Sequence, residues 1–315
     1  MQRYIVNRIL QAIPVFWVVG IITFTLMRIP QGDPAQFMAA ENPFMTHEQI
    51  DAIREDMGLN RPLFVQYLDW QWGVFHGDLG YSFFNEKSVL EVLSDRLPKS
   101  IELALVSLAL GLPIALLGGI LAAVYRGSWI DNVVTAFVTA GISIPSFWLA
   151  IMLIMLFAVY LDWLPSVGYV PFFEDPVEHI RLITMPAVTL AVLVAAPAMR
   201  FLRASLIEVL GQDYIRTARA KGLDERLIIA RHALKNALIP TVTFVGLMAG
   251  FLLSGTVVIE YVFGWTGLGW YTVDRIMVSD YLMVQGTVLV FAALFVFVNI
   301  VVDITYAYLD PRIRY

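Results

Sequence analysis

Long apolar runs separated by short charged segments dominate the chain. A bilayer core about 30 Å thick requires about 20 mostly apolar residues in helical conformation. The runs of sufficient length are Ile9–Met27, Ile101–Val124, Val133–Leu161, Thr184–Leu206, Ala237–Val262 and Met283–Tyr308. The pattern therefore predicts an all-α polytopic membrane protein with six transmembrane helices.

Composition supports a lipid environment. The 315 residues are 59% hydrophobic and 15% charged, with a mean hydropathy of +0.72, whereas soluble domains average about 45–50% apolar and about 25% charged residues. The absence of cysteine excludes disulfides, thiolate metal sites and a cysteine nucleophile. The net charge of −5 is not that of a nucleic-acid-binding protein.

The distribution of Lys and Arg predicts the orientation. If the N-terminus is cytoplasmic, most of the 21 basic residues fall in short segments on the inner side, as the positive-inside rule requires. Both termini are then cytoplasmic, and we expect a multi-pass protein of a bacterial or archaeal inner membrane. The first run follows Arg3 and Arg8. It is too long for a signal peptide and predicts a retained anchor.

The segment 30–100 predicts an extracytoplasmic cap between the N-terminal helix, 1–29, and a five-helix core, 101–315. Thr46 begins a helix over Glu48–Met57, which Gly58 would end. Several aromatic residues follow, and either a small packed core or a docking surface for an external partner explains them. They are Trp70, Trp72, Phe75, Tyr81, Phe83 and Phe84.

The predicted spans contain small and helix-kinking residues but few charges. Close helix approach and kinks are typical of a bundle that opens and closes. The residues are Gly111, Pro113, Gly118, Gly119, Gly141, Pro145, Pro197, Pro240, Gly246, Gly250 and Gly255. Glu102, Glu260 and Asp303 lie near span ends. The predicted spans contain no midplane series of ionisable residues, which is the usual sign of a proton- or sodium-coupled carrier. A stand-alone secondary transporter or channel is therefore the alternative function, and a membrane scaffold without transport is a weaker third.

The cytoplasmic loop 211–240 has an ordered pattern. Good helix formers end at Gly222, a plausible residue just beyond a helix C-terminus, and Asp224-Glu225 begins a second helix that leads into the fifth span. A positive-inside loop alone explains the charge. It does not explain this helix–glycine–helix pattern, which predicts a stiff protrusion able to transmit force.

The same loop resembles a known motif. The stretches Asp213–Gly222 and His232–Pro240 are similar to the EAA loop of ABC importer permeases, and in detail to that of the dipeptide/oligopeptide/nickel permease family. Arg216 stands where the broader motif has Glu, and Lys235 where it has Pro. Both departures fit the peptide branch.

The resemblance covers essentially the full chain. The opening helix from Arg8 leads to Asp33-Pro34, where Gln31 interrupts a Pro-Gly-Asp-Pro motif. The other matching segments are Gly58–Pro62, Gly77–Gly80, Phe263–Gly269 (with Thr266 for a usual Pro), Asp280-Tyr281, Gln285-Gly286 and Asp310–Tyr315.

The resemblance implies a type I ABC importer permease fold with an extracytoplasmic insertion between helices 1 and 2. It implies a non-catalytic subunit with partners: a second homologous permease, two cytoplasmic ATP-binding cassette subunits that hold ATP and Mg²⁺, and an external solute-binding protein. The implied ATPase-coupling residues are Tyr214, Arg216, Thr217, Ala218, Arg219, Ala220, Lys221, Gly222, Leu223, Asp224 and Arg226.

Sequence motifs agree that ATP is hydrolysed elsewhere. None of the lysines, Lys87, Lys99, Lys221 and Lys235, belongs to a phosphate-binding Gly-x-x-x-x-Gly-Lys motif. The four histidines are scattered and are predicted to be surface residues rather than metal ligands. They are His47, His76, His179 and His232. The substrate stays open among dipeptides, oligopeptides, glutathione, nickel chelates, opines and oligosaccharides.

Overall fold

The computed structural model describes residues 2–28, 35, 44–82, 84 and 86–309. Its first part contains α1 (Gln2–Arg28), α2 (His47–Asp56), α3 (Leu63–Phe75), an antiparallel pair of short strands, β1 (Tyr81–Ser82) and β2 (Lys87–Ser88), and α4 (Val89–Val124). Next come α5 (Trp129–Ser143), α6 (Ser146–Leu153), which continues as a π-helical turn over Ile154–Tyr160, and α7 (Pro176–Leu210). The last part contains α8 (Asp213–Ala220), α9 (Glu225–Leu227), a π-helical turn over Ile228–Ala233, α10 (Leu234–Phe263), α11 (Leu268–Met277) and α12 (Tyr281–Leu309).

The chain forms two compact units, of which the first comprises Met1–Ser100 and Thr266–Leu294. Its aromatic core brings Phe24 of α1 against Tyr67 and Trp70 of α3, together with Leu289 of α12. The hydroxyl of Ser82 donates a hydrogen bond of 2.5 Å to the buried carboxylate of Asp280. This bond fixes the strand pair to the beginning of α12.

The second unit comprises Ile101–Trp265 and Phe295–Tyr315. Helix α7 is its centre and packs against α5, α6 and α10. Glycine allows the closest approaches: a Cβ atom placed on Gly111 would lie 2.9 Å from the carbonyl oxygen of Ala191, and one on Gly141 would lie 2.7 Å from the Cβ of Ala196. Small residues in the predicted spans therefore do allow close helix packing.

The described helices confirm a helical membrane protein but not the count of six spans. Four are long and apolar enough to cross a membrane: Val89–Val124, Pro176–Leu210, Glu225–Leu252 and Tyr281–Val302. Helix α1 is 27 residues long, Gln2–Arg28, and its part from Ile13 to Arg28 is apolar.

The span predicted over Val133–Leu161 is sharply broken at Pro145, one of its predicted kink residues. Helices α5 and α6 meet at a bend of 106°, because Ile144 and Pro145 adopt extended backbone angles. A residue before proline is sterically disfavoured in the helical region. Two further differences are the short β1–β2 pair in a fold predicted as all-α, and the start of α4 at Val89, well before Ile101.

The helix predicted after Thr46 is confirmed. The Thr46 hydroxyl accepts a hydrogen bond from the backbone N–H of Gln49, whose side chain bonds back to Thr46, and this reciprocal pair begins α2. Gly58 follows with a φ of +66°. The motif Asp33-Pro34, the residue Gln31 before it and the C-terminal motif Asp310–Tyr315 lie outside the described residues.

His179 is not the predicted surface residue. Its ring is buried among Tyr169, Phe172 and Trp265. Its Nδ1 lies 2.7 Å from the carbonyl oxygen of Val170, and its Nε2 lies 3.3 Å from a carboxylate oxygen of Glu102. No local pattern indicates this contact, because Glu102 is remote from His179 along the chain.

We expect Gly246→Ala to lower the midpoint of thermal unfolding of the detergent-solubilised protein. A Cβ atom on Gly246 would lie 2.3 Å from a methyl group of Val302 in α12, and overpacking of this kind costs about 1–3 kcal/mol. Gly255→Ala is the matched control in the same helix, since its nearest neighbour, Leu193, is at 3.5 Å. Equal midpoints for the two variants would contradict this packing.

Candidate functional site: the loop between α7 and α10

Helix α8 is held to the protein by its apolar face. Ile215 is fully buried and Ala218 nearly so, three residues apart and therefore on one side of the helix. They pack in a cluster with residues of α7, of the π-helical turn and of α10. These are Leu202, Leu206, Ile228, Ala233 and Ala237. The loop thus has a hydrophobic base.

Gly222 ends α8 as predicted. Its φ is +77°, a conformation in which any other residue is strained. The N–H of Gly222 bonds to the carbonyl of Arg219 at 2.9 Å, and the N–H of Leu223 bonds to that of Ala218 at 3.4 Å. This pair of bonds is the Schellman motif, and it turns the chain sharply towards α9.

An ion pair crosses the turn. Arg219 Nη2 and Nε lie 2.6 Å and 3.0 Å from the two carboxylate oxygens of Glu225, and these hydrogen bonds raise the pKa of the Arg219 guanidinium. The Asp224 carboxylate accepts the backbone N–H of Arg226 at 2.7 Å and so caps α9. The predicted second helix is therefore present, and it continues through the π-helical turn into α10.

A longer-range bond joins the start of α8 to the start of α10. The Asn236 amide donates to the Tyr214 hydroxyl at 2.8 Å and to the backbone carbonyl of His232, one helical turn earlier, at 3.1 Å. Thr217 donates to the carbonyl of Asp213 at 3.0 Å, and Arg216 reaches the Asp213 carboxylate at 3.4 Å. Contacts at the base, at the turn and between α8 and the start of α10 therefore hold the loop in one conformation.

The structure brings the predicted site residues together in one protrusion. Ala218 belongs to the buried base, while the others are exposed. The exposed ones are Tyr214, Arg216, Thr217, Arg219, Ala220, Lys221, Gly222, Leu223, Asp224 and Arg226. Segment 213–226 carries four basic and three acidic residues, a net charge of +1. An ordered, exposed surface with charged side chains is suited to protein binding.

Three residues of the loop were not among the predicted site residues. Ile215 anchors α8, and its i, i+3 spacing with Ala218 was a readable signal. Glu225 pairs with Arg219, and its position at a helix start suggested capping only. Asn236 binds Tyr214 across the loop, a contact that no local pattern indicates. Within the described ranges, no cluster of three or more His, Asp or Glu side chains could hold a metal ion.

The chain is similar to known proteins over its full length. The family of binding-protein-dependent transport system inner membrane components matches residues 115–315, and the N-terminal part of such membrane components matches residues 1–104. A peptide transport system permease protein of Brucella abortus strain 2308 is 42% identical over 315 residues, which cover 100% of both chains. The glutathione transport system permease protein GsiC of Escherichia coli strain K12 is 38% identical with the same coverage.

A solved structure shows the same fold. An inward-facing structure of the MetNI methionine ABC transporter matches with a TM-score of 0.56 and 23% identity, covering 70% of this chain and 97% of that one. The predicted resemblance is confirmed by these matches. The chain belongs to the family of binding-protein-dependent transport system inner membrane components, the permease components of ABC importers.

Proposed function

We propose that this chain is the permease subunit of an ATP-driven importer for di- or oligopeptides or for glutathione. The full-length relatives named for peptide and glutathione transport support this substrate class. The observation that carries the mechanism is the ordered protrusion from Asp213 to Arg226, which stands on a buried base and exposes a charged surface.

We infer that this protrusion is the ATPase-coupling loop. Its exposed residues would sit in a groove of an ATP-binding cassette subunit, and Gly222 would set the turn between the two helical arms. Because Ile215 is buried against α7 and α10, a displacement of the protrusion would pull on two helices at once. A flexible loop would absorb the same displacement without moving them.

The assembly that follows has partners on three sides. A second, homologous permease would complete the pathway, and two ATP-binding cassette subunits would supply ATP and Mg²⁺ from the cytoplasm. An extracytoplasmic solute-binding protein would deliver the substrate. The chain itself would hold no cofactor and would have both termini in the cytoplasm.

The membrane topology within this proposal has six spans. Helix α1 and the broken pair α5–α6 would each count as one crossing, in addition to the four long apolar helices. The segment 30–100 would form the extracytoplasmic insertion, and 101–315 the permease core with the coupling loop 211–240.

Reconstitution tests the function directly. Proteoliposomes that contain the chain, its partner permease and both ATPase subunits should accumulate labelled dipeptide or glutathione only with ATP and the solute-binding protein present. Uptake by this chain alone, without ATP, would instead establish the stand-alone transporter.

We expect Gly222→Ala to reduce substrate-stimulated ATP hydrolysis severalfold while membrane insertion stays normal. Alanine at a φ of +77° costs about 1–2 kcal/mol, and the turn between α8 and α9 would reshape to avoid it. The matched control is Gly127→Ala, because Gly127 has a φ of +78° and equally open space around it but lies outside the loop. Equal ATPase rates for the two variants would disprove the assignment of the turn.

We expect Ile215→Ala to loosen the protrusion. Removing a fully buried Ile side chain costs about 2–5 kcal/mol, so trypsin should cleave severalfold faster after the exposed Arg216, Arg219 and Lys221. Leu223→Ala is the control, since Leu223 is already 38% exposed. If both variants were cleaved at the wild-type rate, the buried base would not be what stiffens the loop.

A further inference from the structure

A cavity of about 370 Å³ lies between α5 and α7 within the second unit. Helix α5 contributes the hydroxyl side chains Thr135, Thr139 and Ser143, and α7 contributes Met199, Arg200 and Arg203. The volume is within the range of about 300–1,000 Å³ that is usual for small-molecule sites. None of the residues that line the cavity is among the predicted coupling residues.

The hydroxyls form a row along α5. Thr135, Thr139 and Ser143 recur every four residues and are all exposed, so they share one side of the helix. Val133 and Phe137 are exposed on a different side, at 58% and 40%. Val134, Val138 and Ile142 also line the cavity, so α5 has one face with hydroxyl groups among apolar residues and another that is apolar.

The two arginines of the cavity differ in their pairing. Arg203 binds both carboxylate oxygens of the buried Asp131 at 2.7 Å, so its charge is neutralised. Arg200 is exposed, and no carboxylate among the described residues pairs with it. Between Val188 and Arg200, no residue of α7 is exposed. Arg200 thus brings an unpaired positive charge to the surface of an otherwise buried helix.

Two contacts fix the cavity at its ends. The Asp131–Arg203 pair closes one end. Towards the other end, the missing side chain of Gly141 lets α5 approach Ala196. Positions 131 and 141 are about 15 Å apart along an α-helix, about half the thickness of a bilayer core. The row of hydroxyls ends near the bend at Pro145, within the span predicted over Val133–Leu161.

An unpaired guanidinium within a span is unfavourable against lipid, because it loses hydration unless other polar groups or water replace it. The hydroxyls of Thr139 and Thr135 already donate to the Thr135 carbonyl oxygen at 2.8 Å and to the Asp131 carboxylate at 3.5 Å, so this cost falls mainly on Arg200. The apolar side with Val133 and Phe137 is suited to lipid or to apolar protein surface, and the side with the hydroxyl groups is suited to water. A guanidinium recognises carboxylates by paired, charge-assisted hydrogen bonds.

We propose that the hydroxyl-bearing face of α5 and Arg200 line the solute pathway, and that Arg200 binds the carboxylate of the transported solute. The hydroxyls of Thr135, Thr139 and Ser143 provide hydrogen bonds without a fixed charge, which suits transient contact with a moving substrate. This inference rests on the proposed importer function and assigns residues to its substrate contact.

The absence of cysteine from the chain allows a direct accessibility test. Thr139→Cys in the assembled, reconstituted transporter should react with a charged, membrane-impermeant thiosulfonate reagent, and excess dipeptide should slow the reaction. Phe137→Cys, two residues away on the same helix, should not react. Equal reactivity at both positions overturns the proposal. So does a Thr139→Cys variant that reacts only in the isolated chain, because the second permease would then cover this face.

Substrate chemistry tests Arg200. For Arg200→Gln we expect KM for a dipeptide to rise about tenfold or more, as for loss of a charge-assisted hydrogen bond, and KM for the C-terminally amidated dipeptide to change little. Arg200→Lys should restore part of the preference for the dipeptide with a free carboxylate over the amidated dipeptide. For each dipeptide, the KM of the variant is divided by the KM of the wild type, which removes the effect of any preference of the solute-binding protein for one dipeptide.

The controls separate this inference from the proposed function. If the wild-type assembly shows no ATP-dependent uptake, the importer function fails and this assignment fails with it. If the wild type transports and Arg200→Gln alters KM equally for both substrates, or for neither, the importer function stands and the assignment of Arg200 is wrong.

Discussion

Ile215 and Ala218 lie beneath the cytoplasmic protrusion, buried against α7 and α10. Burial of an Ile side chain contributes about 1.5–3 kcal/mol, more than the about 0–1 kcal/mol typical of an exposed ion pair such as Arg216–Asp213. The polar contacts of the loop shape its turn, but the apolar base determines where it stands. Without that base, the charged surface of α8 would belong to a mobile segment.

Helix α7 connects the two regions to which we assign function. Leu202 and Leu206 belong to the base of the protrusion, and Arg200 and Arg203 line the cavity beside α5. These residues lie within two turns of one rigid helix. A force on α8 would therefore be transmitted through this part of α7 to the proposed substrate contact at Arg200. The Asp131–Arg203 pair would transmit it further to α5.

The sequence predicted the parts of the protein that depend on local chemistry. Hydropathy located the long helices, the Thr46 capping box located α2, and Gly222 with Asp224 located the turn of the proposed coupling loop. The break at Pro145 was visible as a kink, but its 106° bend depends on packing that hydropathy does not describe. The Asn236–Tyr214, Glu225–Arg219 and Arg203–Asp131 contacts pair side chains at spacings that follow no single helical period, so only the folded structure reveals them.

Crosslinking at the protrusion tests its role as the ATPase contact most directly. A Lys221→Cys variant, in a chain without other cysteines, should crosslink to an ATP-binding cassette subunit when the complete transporter is treated with a short thiol-to-amine reagent. The proposed ATPase contact predicts this product, and excess free ATPase subunit should not diminish it. Crosslinks to the solute-binding protein, or a Lys221→Cys that labels freely in the assembled complex without any crosslink, would contradict it.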